Sequence, residues 1–205
     1  GILFKEAAGF QVVPCRDILK SLGGSVPVSR VKRTCDRLKA SGAIRKSDGK
    51  WNARIISKAE EKKTEEGYYR CLPRIFKAIT KADGGVFTCT LVHQGRKRPG
   101  SHRSNSALPD GGFVLAETAS TTVEKALGST WDYLIITAPS EFKLEDQFGK
   151  QIDNTRKVFW SMHHVLSNDP RRQFVFGFTV EETKLRVHFL SWGKALVSTA
   201  LDLYS

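Results

Sequence analysis

Two carboxylates and one ammonium stand at spacings that suit phosphodiester hydrolysis. Asp110 precedes the apolar run of residues 113–116, and Glu141 and Lys143 close a later extended run. Because side chains alternate across a strand, Glu141 and Lys143 project from one face while Phe142 points to the other. Carboxylate oxygens are the ligands that Mg²⁺ prefers in proteins, and Mn²⁺ accepts the same donors. The pattern predicts a metal-dependent nuclease centre with Asp110 and Glu141 as the metal ligands.

Each of the three residues has a separate chemical task in this hypothesis. A bound metal ion stabilises charge on phosphoryl oxygens and lowers the pKa of a coordinated water. Lys143 would position or polarise that nucleophile beside the scissile phosphate. Two plainer interpretations stay open. Glu141 and Lys143 could form a same-face surface ion pair of little energetic value, and Asp110, followed by glycines, could be a turn former.

The apolar periodicity of the chain places these residues in an α/β unit. Apolar residues at helical spacing from Tyr68 to Ile79 predict a helix that ends before Gly84 and Gly85. Further along the chain, the pattern predicts strands over residues 86–92, 113–116 and 131–143, a helix over 151–166 and a strand over 174–180. The predicted order is therefore helix, three strands, helix, strand.

That order, with an aspartate at one strand's start and Glu-x-Lys at the end of the next, resembles the PD-(D/E)XK nuclease superfamily. A wider stretch, from about Glu66 to Ser205, looks like the nuclease-like segment ahead of the kinase domain in fungal-type protein kinases and in Crinkler-type effectors. The residues that carry it are Leu108-Pro109-Asp110, Trp131-Asp132, Glu141, Lys143, Gln151 and residues 171–180. The resemblance implies a restriction-endonuclease-like core, a mixed sheet flanked by helices, over residues 59–205.

The resemblance also implies two further site residues and one alternative function. Superfamily members often add an acidic residue from the first helix, which selects Glu66, with Glu65 as the next choice. Gln151 would be an auxiliary polar group facing the site. The 205 residues contain no Gly-rich kinase loop and no VAIK, HRD or DFG motif, so kinase activity is not expected. Some superfamily members have lost turnover, so an inactive nuclease-fold module for nucleic-acid binding or protein docking is the alternative.

The first quarter of the chain carries most of the positive charge. Residues 1–58 hold 13 Lys and Arg against 4 Asp and Glu, whereas the remainder holds 20 against 17. Residues 15–22 predict a short helix, and a second helix is predicted from an N-cap at Ser29 to Ser41 and Gly42. Asp48-Gly49 between short extended runs predicts a hairpin. Together these elements resemble a small winged-helix domain over residues 1–58, followed by a linker at residues 56–66.

A winged helix would bring its basic residues to nucleic acid. On the second helix and the wing, the candidates are Arg30, Lys32, Arg33, Arg37, Lys39, Arg45, Lys46 and Lys50. The basic loop over residues 94–103 adds Arg96, Lys97 and Arg98, which could bind phosphates, act as a nuclear address or form only a mobile basic loop. Protein docking, a structural appendage and a solvated basic face are the alternatives for the whole region.

Composition narrows the partners and the location of the protein. No apolar stretch approaches the roughly 20 residues that span a bilayer, so no membrane partner is expected. Four cysteines without a CxxC pair favour a reduced intracellular chain without structural zinc, and we expect a nuclear location. His163 and His164 are adjacent on a predicted helix and are not expected to ligate one metal together. The expected partner is nucleic acid, DNA rather than RNA, with further domains or protein partners left open.

Overall fold

The computed structural model describes residues 10–21, 26–52, 64–93, 98–101, 107–115 and 132–203. The helices in these ranges are α1 (Cys15–Ser21), α2 (Val28–Ala40), α3 (Glu65–Tyr69), α4 (Cys71–Asp83) and α5 (Phe148–Asn168). The strands are β1 (Gln11–Val13), β2 (Cys89–His93), β3 (Gly111–Leu115), β4 (Ile136–Lys143), β5 (Phe174–Glu181), β6 (Lys184–Ser191), β7 (Ala195–Ser198) and β8 (Leu201–Asp202). The predicted order of helix, three strands, helix and strand is present as α4, β2, β3, β4, α5 and β5.

The described strands form one mixed sheet in the order β1-β7-β6-β5-β4-β3-β2, with β8 paired to β6. β2, β3 and β4 are antiparallel neighbours, and β5 pairs with β6 in the same way. β4 and β5 are parallel, and α5 is the crossover helix that such a pair requires. The prediction of an α/β fold with a mixed sheet flanked by helices is therefore confirmed.

Helix α5 packs very closely against one face of the sheet. Its buried residues Val158 and Met162 lie against β5, where Gly177 leaves room for them. A Cβ atom at Gly177 would lie 2.7 Å from Met162 Sδ and 2.9 Å from Val158 Cγ2, closer than real contacts allow. The absence of a side chain at Gly177 thus allows α5 to pack closely against β5. This packing fixes the position of α5 relative to the sheet.

The opposite face of the sheet is covered by α1, α3 and α4. Phe142 and Phe178 pack there with Leu72 and Ile75 of α4, while Ile18 of α1 packs against Phe189 and Leu196. Phe142 therefore points away from α5, as the strand alternation predicts.

A β-bulge in β4 sets which side chains face α5. Phe113 pairs with Ala138, but Val114 pairs with Ile136, so Thr137 is an extra residue on β4. The Thr137 hydroxyl donates a hydrogen bond to the Phe113 carbonyl, 3.1 Å away. In a regular strand, residues five positions apart face opposite sides. The extra residue in β4 lets both Ile136 and Glu141 face α5. β4 begins at Ile136, later than predicted, and Trp131 lies outside the described residues.

The predicted helices and hairpin of the basic region are present with small changes. Gly42 has φ +68° just after α2, and Gly49 has φ +71° in the turn that joins Ile44 to Trp51. The N-cap prediction is wrong: α2 begins at Val28, after Pro27, and lacks a side-chain cap. Proline suits this boundary because its fixed φ and missing N–H cost nothing where no intrahelical bond is made.

The winged-helix arrangement is not confirmed, because the two helices pack against different elements. α1 lies against β6 and β7, and β1 pairs with β7 in parallel. α2 instead lies on α4, where Leu38 packs with Ala82. The N-terminal segment thus contributes the strand β1 to the main sheet. The side chain of Ile18 in α1 is buried against that sheet rather than against α2.

The predicted domain boundary between residues 58 and 59 lies outside the described residues, as does most of the predicted linker. The linker's last two residues, Glu65 and Glu66, belong to α3, which is capped by the Thr64 side chain. Across the described ranges, the structure contains no helix long and apolar enough to cross a membrane.

Candidate active site

Asp110 lies at the start of β3, directly beside the end of β4. Its Oδ2 atom accepts a hydrogen bond from the Phe142 backbone N–H at 2.8 Å. The following glycines are strand residues: a Cβ atom at Gly111 would lie 2.4 Å from the Val92 carbonyl oxygen, so the backbones approach too closely for a side chain. Asp110 is therefore fastened to β4 by its side chain and is placed next to Glu141.

Glu141 is a buried carboxylate, with 3% of its surface exposed. Burial raises the pKa of Glu141 well above its usual range, and the neighbouring charge of Asp110 raises it further. Burial raises the pKa of Asp110 as well, although the hydrogen bond from Phe142 opposes that effect. Within the described part of the chain, Glu141 has no direct ion pair. Two carboxylates thus converge here, and none of the described cations is in contact with Glu141.

Lys143 reaches the same face of β4 as Glu141 and forms an ion pair with Glu65 of α3, at 3.1 Å between Nζ and Oε1. Its side chain is 19% exposed, so the ammonium is largely withdrawn from solvent. Glu66 is the next residue of α3, and its side chain lies outside the described part of the structure. In the described contacts, the acidic residue of α3 that pairs with Lys143 is therefore Glu65.

Tyr69 supports the end of β4 from the opposite face. Its hydroxyl donates hydrogen bonds to the backbone carbonyls of Lys143 and Val180, and its ring stacks on Phe142 with centroids 4.8 Å apart. Burial raises the pKa of Tyr69, so the hydroxyl stays protonated and remains a donor. The sequence suggested Tyr69 only as an apolar helix residue, since a phenol gives no signal of a backbone contact so distant in the chain.

The carboxylate pair suits a divalent cation. Asp110 and Glu141 offer hard oxygen donors, and a buried carboxylate without a direct cation is the kind of group that a metal ion would neutralise. In the described residues, no cluster of three or more His, Cys, Asp or Glu side chains is placed to hold a metal. Asp110 and Glu141 are therefore the described carboxylates that would hold such a cation.

Helix α5 brings a second lysine to the site, which the sequence did not single out. Lys157 forms an ion pair with Asp153, at 2.8 Å between Nζ and Oδ2, and both side chains are 48% exposed. Its charge acts on Glu141 more strongly than that of Lys143 does. The only sequence signal for this pair is the i, i+4 spacing of an acid and a base on one helix.

A polar network that is buried at Glu181 and Asn154 and exposed at Asp146 lies at the end of β5. Glu181 pairs with Lys143 in the β4–β5 register and accepts a hydrogen bond from Asn154 of α5 at 2.8 Å. Arg186 bridges Glu181 and Asp146, and Gln151 donates to Asp146 Oδ1 at 2.7 Å. Gln151, predicted as an auxiliary site residue, is thus engaged with the loop that precedes α5. This network ties the start of α5 to the end of β5.

Several basic residues predicted to contact nucleic acid are engaged within the protein. Arg30 forms two hydrogen bonds to the Asp83 carboxylate, and Arg37 donates to the Ala82 and Asp83 carbonyls at the end of α4. Arg45 pairs with Asp48 inside the hairpin turn. The remaining described candidates are exposed: Lys32, Arg33, Lys39, Lys46, Lys50 and Arg98. Arg96 and Lys97 lie outside the described residues.

The two adjacent histidines of α5 have different surroundings. His163 shares a hydrogen bond with Ser167, at 3.2 Å, whereas His164 is buried against Trp160 with ring centroids 5.1 Å apart. Burial lowers the pKa of His164, with a smaller contribution from the charge of His163.

Comparison with known proteins adds one result. A family model described as fungal protein kinase matches residues 109–205, slightly less than half of the chain. The matched region contains Asp110, Glu141, Lys143, Gln151 and Lys157. No curated protein and no solved structure matches the chain. The expected resemblance to fungal-type kinases is therefore supported over residues 109–205, where the chain is similar to that family.

Proposed function

We propose that this protein is a metal-dependent nuclease with a PD-(D/E)XK core, acting as a DNA endonuclease. The observation that carries the proposal is the convergence of Asp110 and Glu141 beside Lys143, with Glu141 buried and in no direct ion pair within the described residues. A fold loses stability by burying such a charge, and a ligand that neutralises it accounts for its presence.

The topology supports the proposed core. A helix leads into three antiparallel strands, a crossover helix follows, and the next strand lies parallel to the third. The candidate acids and the lysine lie at the ends of neighbouring strands, where the Asp110 side chain bridges β3 and β4. A shared scaffold does not by itself imply a shared activity, so the proposal depends on the site.

Each residue has a defined role in the proposed reaction. Asp110 and Glu141 hold the metal ion, which when bound supplies charge stabilisation on the phosphate and a more acidic water. Lys143, held by Glu65 on one side, places its ammonium beside the phosphate and favours the charge that develops there. Tyr69 keeps the backbone of Lys143 in place through its hydroxyl. Kinase activity is not proposed, because the 205 residues lack the kinase motifs.

The direct test is cleavage of supercoiled plasmid DNA with Mg²⁺, with Mn²⁺ and with EDTA. Glu141→Gln and Lys143→Ala proteins should be compared with the unmodified protein at equal concentration. Glu145→Gln makes the same chemical change at an exposed residue just beyond β4 and provides the matched control. We expect cutting by the unmodified and Glu145→Gln proteins with metal only, and none by the other two.

Other outcomes would identify the alternative function. Binding of DNA without cutting under any metal condition would favour an inactive nuclease-fold module for nucleic-acid binding. Cutting that survives Glu141→Gln and EDTA would contradict the metal hypothesis. Cutting of an RNA of the same sequence, but not of DNA, would replace the proposed substrate.

A further inference from the structure

Lys157 and Asp153 form a second ion pair on α5, in the helical turn whose Asn154 is hydrogen-bonded to Glu181 and whose Val158 packs on Gly177. Lys143 is held by Glu65 of α3, and Lys157 is held by Asp153 one helical turn earlier in α5. Two inner carboxylates are thus accompanied by two ammonium groups, each restrained by an outer carboxylate. The two lysines come from different elements of the fold, the sheet and the crossover helix.

The two ammonium groups differ in their access to a ligand. Lys143 is 19% exposed, whereas Lys157 is 48% exposed. An exposed i, i+4 pair on a helix stabilises it by only about 0.3–0.5 kcal/mol, so Lys157 can exchange Asp153 for another anion at little cost. Lys157 is therefore the more available cation of the two.

The position of Lys157 is fixed relative to the site. Val158, the next residue, is buried against Gly177 of β5, and Asn154 is hydrogen-bonded to Glu181. These contacts hold both sides of the helical turn that carries Lys157. Partial burial acts to lower the pKa of Lys157, but the ion pair with Asp153 and the charges of Glu141 and Asp110 outweigh it, so the amine stays charged.

We infer that Lys157 is a second phosphate-binding cation of this site, which contacts the DNA backbone from the α5 side while Lys143 acts from β4. The inference rests on the proposed function for its ligand, but it concerns binding rather than cleavage. In this arrangement Asp153 competes with the phosphate for Lys157. Removing Lys157 should therefore weaken DNA binding, whereas removing the charge of Asp153 should not.

The test measures binding of a short DNA duplex with Ca²⁺ in place of Mg²⁺, over a series of salt concentrations. We expect Lys157→Ala to weaken binding about tenfold, since a charge-assisted contact is lost, and to reduce the slope of log Kd against log salt by about 1. Lys157→Arg should retain the slope. Asp153→Asn should bind as tightly as the unmodified protein or more tightly.

Lys194→Ala provides a matched control. Lys194 is exposed in the turn between β6 and β7, at the opposite end of the sheet from Glu181. Its removal deletes the same charge and should leave both affinity and slope unchanged.

Three results would overturn the inference. The first is an unchanged salt slope for Lys157→Ala. The second is equal weakening by Lys157→Ala and Asp153→Asn, because it would mean that the ion pair only stabilises α5. The third is an unmodified protein that does not bind the duplex at all. If the protein binds DNA with the expected Lys157 dependence but does not cut plasmid with Mg²⁺, the proposed nuclease function fails and the inference stands.

Discussion

The candidate active site and the basic region of α2 and its hairpin differ in how their charged side chains are paired. In the basic region, Arg30 is matched by Asp83, Arg45 by Asp48, and Arg37 by two helix-terminal carbonyls. In the site, Glu141 is buried next to another carboxylate, without a direct cation in the described residues.

Residue type alone therefore does not identify the groups that are available to a ligand. The arginines looked like nucleic-acid contacts in the sequence, yet several hold α2 against α4 or close a turn. Glu141 could equally have been a surface ion pair. Among the described residues, the candidate site is where a buried carboxylate, Glu141, lacks a direct cation.

The largest effect is expected for Glu141→Gln. Cleavage should fall by about 100-fold or more, because the proposed metal ligand and its charge would be lost. The same change should raise the melting temperature at pH 8, since the folded-state pKa of Glu141 is raised and its ionisation opposes folding there. Differential scanning calorimetry should detect this rise.

The pH dependence of that stabilisation supplies its control. Below the ordinary pKa of about 4.5, Glu141 is protonated in both folded and unfolded chains, so the advantage of glutamine should vanish. Glu145→Gln should leave the melting temperature unchanged. Mg²⁺ should raise the melting temperature of the unmodified protein and not that of Glu141→Gln, because only a folded-state ligand stabilises. A lower melting temperature for Glu141→Gln at pH 8 would contradict the assignment of uncompensated charge.

A smaller effect is expected for Tyr69→Phe, which removes only the hydroxyl. The ring can still stack on Phe142, and the Lys143 carbonyl keeps a hydrogen bond from the Glu182 N–H at 2.8 Å. We therefore expect a loss of about 1–2 kcal/mol in the free energy of unfolding, measured with urea. Cleavage should fall more than DNA binding does, since one of the two hydrogen bonds to the Lys143 carbonyl is lost. Equal losses in both would mean that Tyr69 supports the fold without positioning Lys143.

Asp83→Asn tests the compensated region. The hydrogen bonds from Arg30 hold the pKa of Asp83 at about 2, well below its usual range. A depressed folded-state pKa contributes stability above about pH 4 that is lost as the pH falls toward 2. The variant should therefore melt earlier than the unmodified protein at pH 6, and the gap should narrow below pH 4. Asp36→Asn, on the exposed face of α2, should show no gap at either pH.

The smallest effect on the fold is expected for the double change Lys46→Ala and Lys50→Ala. Both side chains are exposed in the hairpin, so the free energy of unfolding should change by less than about 0.5 kcal/mol. If the hairpin touches DNA, the salt slope of binding should fall by about 2, one for each phosphate contact. An unchanged slope would leave the hairpin without a role in DNA binding.

The elements around the site were predictable because their signals are local. Alternation along residues 139–143 puts Glu141 and Lys143 on one face, and apolar spacing predicted α5 within a few residues of its bounds. The β-bulge at Thr137 was not predictable, since an extra residue changes the pairing without changing the composition. Neither was the docking of α1 on β6 and β7, which depends on residues far along the chain.

The site itself was predictable only in its short motifs. Asp110, Glu141 and Lys143 were proposed from type and position, and they lie at adjoining ends of β3 and β4. The contacts of Lys157 and Tyr69 arise from packing. The position of Lys157 depends on the close packing of α5 against Gly177. The contact of Tyr69 depends on its hydroxyl reaching the Lys143 carbonyl from the opposite face of β4. A sequence records neither the distance between a helix and a sheet nor the direction of a hydroxyl group.

The parallel pairing of β1 with β7 has a consequence for how the chain is made. Gln11 pairs with Leu196, so the first described strand leaves the ribosome long before its partner is synthesised. The pairing of β1 with β7 closes a very long loop, which slows folding. Until β1 docks, one edge of β7 stays unpaired. The nascent chain must therefore keep β1 from wrong partners until residues 195–198 have been synthesised.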